Sequence, residues 1–284
     1  MKYPATVRSA LDVSRSALGH RSETPNLDGQ LLLGQILDRS RSWLMAHPES
    51  KLEEEHGLEF LNLLDRCVQG EALPHVLGWW EFYGRRFRLD GSVLIPRPET
   101  ELMVDAALEY HRETSHPLTV VDVGTGSGCV AITLACEIQD LRVYATDVSL
   151  DALRVARKNV RLHGVDRFVR LICADLASPL VRTGGFDLLC ANLPYIPEDE
   201  LGDLPVAQRE PRIALDGGED GLAVVRRLVD ALPSIMSPQG RALFEIGTGQ
   251  AQSIQQYVSH ALPQHRVQIR SDYAGRPRLV IVDR

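Results

Sequence analysis

The sequence has no long hydrophobic run and no excess of basic residues, and each absence excludes a class of protein. No stretch of about 18 consecutive apolar residues is present, so no segment has the composition of a membrane span. The 31 lysines and arginines are outnumbered by 38 aspartates and glutamates, giving a formal net charge of -7. This excludes a uniformly basic surface for nucleic acid, although not a local basic patch. The segment after Met1 has no apolar signal core, and we therefore expect a cytoplasmic protein that is not membrane-bound.

The cysteines and histidines show no metal-binding pattern. The five cysteines form no C-x-x-C pair, and the nine histidines form no H-x-x-x-H pair. We therefore expect reduced, buried cysteines and no metal site. The cysteines are Cys67, Cys129, Cys136, Cys173 and Cys190.

The remaining composition is that of an ordinary globular protein, and the 284 residues suggest about two domains at roughly 150 residues each. Apolar residues recur at helical spacing in residues 1–72, which predicts a small domain of four or five helices. In 73–97, aromatic residues crowd around Gly84 and predict a β-hairpin connector. From 98 to 284, strands and helices alternate, which predicts an α/β domain with a mainly parallel sheet covered by helices on both faces.

The individual elements of this last domain are predicted from apolar runs and from the capping and turn residues that bound them. The predicted helices lie at 129–138, from Ser149 towards Gly164, and at about 221–236. The predicted strands lie at 119–123, 142–146, 168–173, 186–191, 241–246, 266–270 and 278–283.

A glycine-rich loop follows the first of these strands. It reads Gly124-Thr125-Gly126-Ser127-Gly128, and glycines let a backbone turn tightly and approach a ligand at the start of a helix. A dinucleotide fingerprint requires G-x-G-x-x-G, whereas here the third glycine comes one residue early. The G-x-G-x-G loop resembles that of class I methyltransferases, which bind S-adenosyl-L-methionine (SAM). The simpler alternative is a strand-to-helix turn without a ligand.

Two acidic residues end the next two strands. Asp147 stands where an acid can accept both ribose hydroxyls of a bound nucleoside. Asp175, at the end of the following strand, is placed to accept from an adenine amino group, and Leu176 to pack on the ring. Either aspartate can instead be a helix cap or a surface residue.

A second motif, Asn192-Leu193-Pro194-Tyr195, directly follows the strand 186–191. It resembles the N-P-P-Y motif of methyltransferases that modify planar amide or exocyclic amino nitrogens. Such a nitrogen needs hydrogen-bond acceptors that orient its NH2 group, and the Asn192 side chain and the carbonyl of Leu193 offer two. Tyr195 can pack flat on the planar group. Leu193 replaces the motif's first proline but keeps the carbonyl, and the alternative interpretation is an ordinary turn.

Longer segments resemble the HemK/PrmC family over nearly the whole chain. They include Glu81-Phe82-Tyr83-Gly84, Val93 to Glu101, Glu210 to Leu222, Glu245-Ile246-Gly247, Asp272 to Arg278, and the helical pieces at 27–28 and 40–44. The second glycine pair, Gly247 and Gly249, we interpret as a loop turn without a cofactor role.

The resemblance implies a class I SAM-dependent methyltransferase with a small N-terminal helical domain. The family methylates the glutamine side-chain amide in the Gly-Gly-Gln motif of class 1 peptide chain release factors. Transferred by motif, Gly124 to Gly128, Asp147 and Leu176 would contact SAM, and Asn192 would contact both SAM and substrate. Leu193, Pro194 and Tyr195 would complete the glutamine pocket. The helical domain and hairpin would dock the release factor.

Other functions stay open at this stage. One is a glutamine methyltransferase acting on a ribosomal protein. Another is a nucleic-acid N6-adenine methyltransferase, which shares the Asn-x-Pro-Tyr chemistry but needs a basic face. The net charge disfavours direct nucleic-acid binding, and only the cluster of Arg85, Arg86 and Arg88 favours it. A non-catalytic SAM-binding adaptor is the third, and intact Asn192 and Tyr195 count against it.

Overall fold

The computed structural model describes residues 3–180 and 185–283, and contacts along the chain divide it into two units between Trp79 and Trp80. This boundary lies between the two domain boundaries set from the sequence, at 72/73 and 97/98, which stay predictions. Within the described residues, no helix combines the length and apolar character needed to cross a bilayer.

The first unit is helical. Thr6 and Ser9 form a reciprocal capping box at the start of its first helix, and the Ser40 hydroxyl accepts from the backbone N–H of Trp43 at the start of its third. Its core contains Leu32, Leu33, Leu44, Phe60 and Leu64. The helices are α1 (Val7–Leu18), α2 (Pro25–Leu37), α3 (Arg41–Ala46), α4 (Glu54–Val68) and α5 (Leu73–Leu77).

A two-stranded hairpin follows, formed by β1 (Trp79–Phe82) and β2 (Arg85–Arg88). Tyr83 and Gly84 connect the strands, and both have a left-handed backbone, with φ of 51° and 68°. That pair of positive angles defines the tight turn whose twist matches two antiparallel strands. The predicted connector at 73–97 therefore contains a hairpin. Its first residues instead form helix α5, in which Val76 and Leu77 are buried.

The second unit is built on a seven-stranded sheet in the order β5-β4-β3-β6-β7-β9-β8. All neighbours pair in parallel except β9, which is antiparallel to both β7 and β8. The predicted α/β class with a mainly parallel sheet is therefore confirmed. The strands are β3 (Thr119–Val123), β4 (Arg142–Asp147), β5 (Val169–Cys173), β6 (Phe186–Ala191), β7 (Met236–Glu245), β8 (Arg266–Ser271) and β9 (Pro277–Asp283).

Helices cover both faces of this sheet and form a core on each. Val120 on β3 belongs to one core, whereas Val121 and Val123 belong to the other, as the alternation of a strand requires. One core receives α6 (Glu101–Glu113), α7 (Cys129–Glu137) and α8 (Leu150–Leu162). The other receives α9 (Ala223–Ile235) and α10 (Ala251–Ala261).

The strand register sets four chain segments side by side at one edge of the sheet. Val123 pairs with Thr146 on β4 and with Ala191 on β6, and Ala191 pairs in turn with Phe244 on β7. The chain proceeds outward in opposite directions from β3 and β6, so these two strands flank the point where strand order reverses. Ligands of open α/β sheets bind at that point, outside the carboxyl ends of the strands.

Candidate active site

The glycine loop turns sharply between β3 and α7. Gly124, Gly126 and Gly128 all have positive φ, of 73°, 55° and 83°. A Cβ on Gly124 would stand 3.0 Å from Cδ2 of Leu193, and one on Gly128 would stand 2.8 Å from Cδ1 of Ile132. Both conformation and space therefore require glycine at these two positions.

Asp147 ties this loop to the end of β4. Its Oδ2 accepts from the backbone N–H of Gly126 at 2.9 Å, and its Oδ1 accepts from the backbone N–H of Ser149 at 2.8 Å. Burial raises the pKa of this carboxyl, and the two N–H groups oppose that rise. Since each carboxylate oxygen has two lone pairs, both oxygens retain capacity for a ribose hydroxyl.

A cavity of about 630 Å³ opens beside the loop and Asp147, within the usual size of a small-molecule site. Val148 and Ile213 add exposed apolar surface to its wall. The sequence-predicted residues on its lining are Gly124, Thr125, Gly126, Ser127, Asp147, Asp175, Leu176, Asn192, Leu193 and Pro194. Gly128 instead stands behind the lining as the N-cap residue of α7.

Asp175 and Leu176 line the far side of this cavity. Asp175 is more than half exposed, and its Oδ2 accepts from the Arg227 guanidinium at 2.5 Å. An adenine amino group at this place would therefore share the carboxylate with Arg227. Leu176 has a left-handed φ of 52°, a strained conformation for a leucine that turns the chain at the cavity wall.

Asp122 is a site residue that the sequence reasoning missed. It is buried at the end of β3, lines the cavity and accepts a 2.6 Å hydrogen bond from the Thr125 hydroxyl. Burial raises its pKa to about 6. The signal available in the sequence was its position, an acid at the end of a predicted strand and two residues before the first glycine. The contact with Thr125 fixes the loop from within.

A chain of three side chains extends from Asn192 into the protein. The Asn192 Nδ2 donates to Thr100 Oγ1 at 3.0 Å, and the Thr100 hydroxyl donates to Glu245 Oε2 at 2.6 Å. Thr100 and Glu245 are each only 2% exposed. Burial raises the pKa of Glu245 to about 7, against the opposing effects of the Thr100 hydrogen bond and the Arg278 charge.

A smaller cavity of about 190 Å³ is also lined by Asn192. Arg97 and Tyr195 contribute to its wall, and Leu94, Asn192 and Ala214 line both cavities. Of the predicted acceptor residues, Tyr195 therefore faces the smaller cavity, whereas Leu193 and Pro194 face the larger one. Asn192 stands where the two spaces adjoin.

The second glycine loop supports Tyr195. Gln250 donates through Nε2 to the carbonyl of Tyr195 at 2.8 Å and accepts from the backbone N–H of Gly247 at 2.8 Å. A Cβ on Gly221 would stand 2.2 Å from the same carbonyl, and one on Gly247 would stand 3.1 Å from the tyrosine ring. The loop that we interpret as a turn thus fixes the backbone that carries Tyr195.

Two segments that are far apart in sequence meet at the rim of the smaller cavity. Glu210 is 8% exposed, and its Oε1 lies 2.5 Å from the Arg97 guanidinium. Its Oε2 accepts from the backbone N–H of Ile95 at 2.9 Å. One buried carboxylate therefore joins the loop before α6 to the loop after Tyr195.

The mainly parallel sheet, the glycine loop after β3, the acid at the end of β4 and the Asn-x-Pro-Tyr segment after β6 together define a class I SAM-dependent methyltransferase. Two family models match the chain: "PrmC N-terminal domain" over residues 9–78 and "Methyltransferase small domain" over residues 100–209.

Two curated relatives match over nearly their full length. The release factor glutamine methyltransferase of Moorella thermoacetica is 39% identical over 282 residues, covering 98% of this chain and 99% of the relative. The protein of the same name from Bacillus cereus is 35% identical with the same coverage. The chain therefore belongs to the release factor glutamine methyltransferase family, which confirms the resemblance found in the sequence.

A solved structure shows the same fold. The ribosomal protein L11 methylase of Lactobacillus delbrueckii subsp. bulgaricus superposes with a TM-score of 0.51 at 24% identity, covering 70% of this chain and 84% of that protein. At this identity the likeness supports the architecture alone.

Proposed function

We propose that the protein transfers a methyl group from SAM to the side-chain amide nitrogen of the glutamine in the Gly-Gly-Gln motif of class 1 peptide chain release factors. The observation that supports this proposal is that Asn192 lines two adjoining cavities. We assign the larger cavity to SAM and the smaller one to the glutamine. The names of the full-length relatives support the choice of acceptor.

The volume of the larger cavity and the chemistry of its lining residues support SAM as its ligand. Asp147 would accept from the ribose hydroxyls, and the loop from Gly124 to Gly128 would lie against the amino-acid part. Asp175 and Leu176 would border the adenine. When bound, SAM supplies an electrophilic methyl group on a sulfonium sulfur.

The acceptor residues would act on the glutamine NH2 group. An amide nitrogen is a poor nucleophile because its lone pair is delocalised into the carbonyl. Asn192 Oδ1 and the Leu193 carbonyl would accept from its two hydrogens, hold the nitrogen in line with the methyl group and stabilise the positive charge that develops. The Tyr195 ring would pack on the amide plane. The methyl–sulfur bond would break as the methyl–nitrogen bond forms, which leaves S-adenosyl-L-homocysteine and a positively charged, N-protonated methylamide. That cation is strongly acidic and loses its extra proton to water, so the reaction requires no dedicated general base.

Leu193 fills the position of the family's first proline without loss of the carbonyl acceptor. Its side chain is 4% exposed and packs against the glycine loop, near Gly124. Pro194 restricts the backbone of Leu193 to extended conformations. Packing on one side and proline on the other would therefore hold the carbonyl in place.

The helical domain and the hairpin would recognise the release factor, with residues 1–72 as docking domain, 73–97 as connector and 98–284 as methyltransferase domain. Among the three arginines that favour nucleic acid, Arg85 forms an ion pair with Glu137 at 2.7 Å, which offsets its charge. Together with the net charge, this supports a protein rather than a nucleic-acid substrate.

The test is methyl transfer from labelled SAM to separate acceptors: a class 1 release factor, ribosomal proteins, DNA and RNA. We expect label in the release factor alone, located by mass spectrometry on the Gly-Gly-Gln glutamine. A release factor with that glutamine replaced by alanine is the matched control and should take up no label. Label in a ribosomal protein or a nucleic acid, with none in the release factor, would overturn the proposal.

A further inference from the structure

We infer that Thr100 and Glu245 are positioning residues that fix the rotation of the Asn192 side-chain amide, so that its oxygen rather than its NH2 group meets the methyl acceptor. The inference rests on the proposed function, in which Asn192 Oδ1 accepts from the glutamine NH2 group. Asn192 alone cannot fix that orientation, because the oxygen and nitrogen of an amide occupy nearly the same space and exchange places on rotation.

In the series Asn192, Thr100 and Glu245, each hydrogen bond is donated towards Glu245. Thr100 has a single hydroxyl proton, and it points to Glu245 Oε2 over 2.6 Å. An ionised carboxylate can only accept, so the Thr100 oxygen offers Asn192 lone pairs and no proton. Only the NH2 side of Asn192 can pair with such an oxygen, as it does at 3.0 Å, and Oδ1 is therefore turned away from Thr100.

Burial makes the arrangement costly to disturb. Thr100 and Glu245 are each 2% exposed, and a rotated Asn192 would set its oxygen against the lone pairs of Thr100, which would leave both acceptors without a donor between them. The two partners come from distant parts of the chain, the turn Pro98–Thr100 and the last residue of β7. Both are anchored in the structure around them rather than to Asn192.

Protonation of Glu245 would remove the constraint on the direction of these hydrogen bonds. A protonated carboxyl can donate to Thr100, whose hydroxyl is then free to donate to Asn192 in the wrong orientation. The charged or titratable groups around Glu245 are Arg278 on β9, Arg97 and Glu99 beside Thr100, and Tyr195 after β6. The arginines favour the ionised form, whereas burial and Glu99 oppose it and bring the pKa to about 7. Methyl transfer should therefore increase as pH rises through this range.

The experiment compares Thr100→Val, Thr100→Ser and Glu245→Gln with the wild type, using labelled SAM and a release factor. Valine keeps the shape of threonine without the hydroxyl, and serine keeps the hydroxyl. We expect Thr100→Val to lower kcat by about 10- to 100-fold with little change in the KM for SAM. Without the Thr100 hydroxyl, the Asn192 amide loses the hydrogen bond that orients it. We expect Thr100→Ser to restore most of the rate. Glu245→Gln should abolish the rise of kcat near pH 7.

Folding is controlled in two ways. The double variant Thr100→Val/Glu245→Gln avoids leaving a buried charge unpaired and should show the same low kcat. Thr133→Val is the matched control, because Thr133 is fully buried on α7 and its hydroxyl has no hydrogen-bond partner within the described part of the chain. It should retain wild-type kinetics.

A second measurement does not depend on the acceptor. In protein labelled with 15N, the side-chain NH2 signal of Asn192 should shift with pH near 7 in the wild type and not in Glu245→Gln. A pH-independent Asn192 signal in the wild type would overturn the inference, as would equal losses of kcat in Thr100→Val and Thr100→Ser or a wild-type kcat in Thr100→Val. If the wild type methylates no release factor, the proposed function fails instead. The NMR titration then still tests whether protonation of Glu245 reaches the Asn192 amide through Thr100.

Discussion

The backbone N–H of Gly126 donates to the Asp147 carboxylate over 2.9 Å, so the acid that ends β4 holds the loop that begins after β3. The same carboxylate is the proposed ribose acceptor. In the proposed function one residue therefore shapes the glycine loop and also binds the cofactor, and its loss should affect the two together.

We predict that Asp147→Ala weakens SAM binding by about 100-fold, from the loss of charge-assisted hydrogen bonds at roughly 1.5–3 kcal/mol. Isothermal titration with SAM measures the change. Asp151→Ala is the matched control, because Asp151 is exposed on α8 and forms a surface ion pair with Arg154. Equal SAM affinity in Asp147→Ala and wild type would contradict the role of Asp147.

We predict that Asn192→Ala retains SAM binding and lowers the rate of methyl transfer by about 100-fold, because one of two preorganised acceptors is lost. Single-turnover transfer to a release factor, with SAM affinity measured in parallel, separates the two effects. Transfer at the wild-type rate would show that the amide is not an acceptor in the reaction.

Glu210→Ala should raise the KM for the release factor more than the dissociation constant for SAM. The substitution leaves the Arg97 guanidinium and the N–H of Ile95 without their shared partner at the rim of the smaller cavity. The lost buried hydrogen bonds should also lower the free energy of unfolding by about 1–3 kcal/mol. Steady-state kinetics in each substrate and urea unfolding provide the measurements. A selective loss of SAM affinity would contradict the prediction and show that the ion pair supports the larger cavity instead.

The pH dependence of stability should oppose that of activity. Burial raises the pKa of Glu245 from 4.5 to about 7 and that of Asp122 from 3.8 to about 6. Between these values the folded state holds protons that the unfolded state releases, so both carboxyls favour folding below about pH 4 and lose that contribution as pH rises through their folded pKa values. Urea unfolding at a series of pH values measures this, and Glu245→Gln should reduce the fall in stability between about pH 4.5 and 7. An unchanged pH profile in Glu245→Gln would contradict the raised pKa of Glu245.

Removal of residues 1–72 should raise the KM for an intact release factor while SAM affinity stays unchanged. A short peptide containing Gly-Gly-Gln should be methylated equally by both forms, because it is too short to reach a docking domain. Kinetics with the two acceptors distinguish the outcomes. Equal activity of both forms on the intact factor would exclude a docking role for the helices.

The sequence predicts those parts of the molecule that local pattern determines. The strand predicted at 186–191 is Phe186–Ala191 in the structure, and the helix predicted at 221–236 is Ala223–Ile235. Strand β7 begins at Met236 rather than at 241, since a shift in its register with β6 accommodates Pro238 and Gly240.

The site is predictable to the same extent. The glycine loop, Asp147 and Asn192 are recognisable because each directly follows a strand, and parallel strands bring their carboxyl ends to one edge. The partners of Asn192 are not, since Thr100 and Glu245 come from distant segments and only the folded chain joins them. Likewise, no local pattern connects Glu210 to Arg97.

Strand β6 has a parallel neighbour on either side, and Asn192 comes straight after its last residue. A slip of one position along β6 would exchange its two faces and break its pairing with β3 and β7 at once. The amide of Asn192 and the carbonyl of Leu193 are thus located by the centre of the sheet, whereas the surrounding loops carry most of the wall of the smaller cavity. Evolution can therefore reshape those loops to admit a different protein partner while the chemistry of nitrogen methylation stays intact.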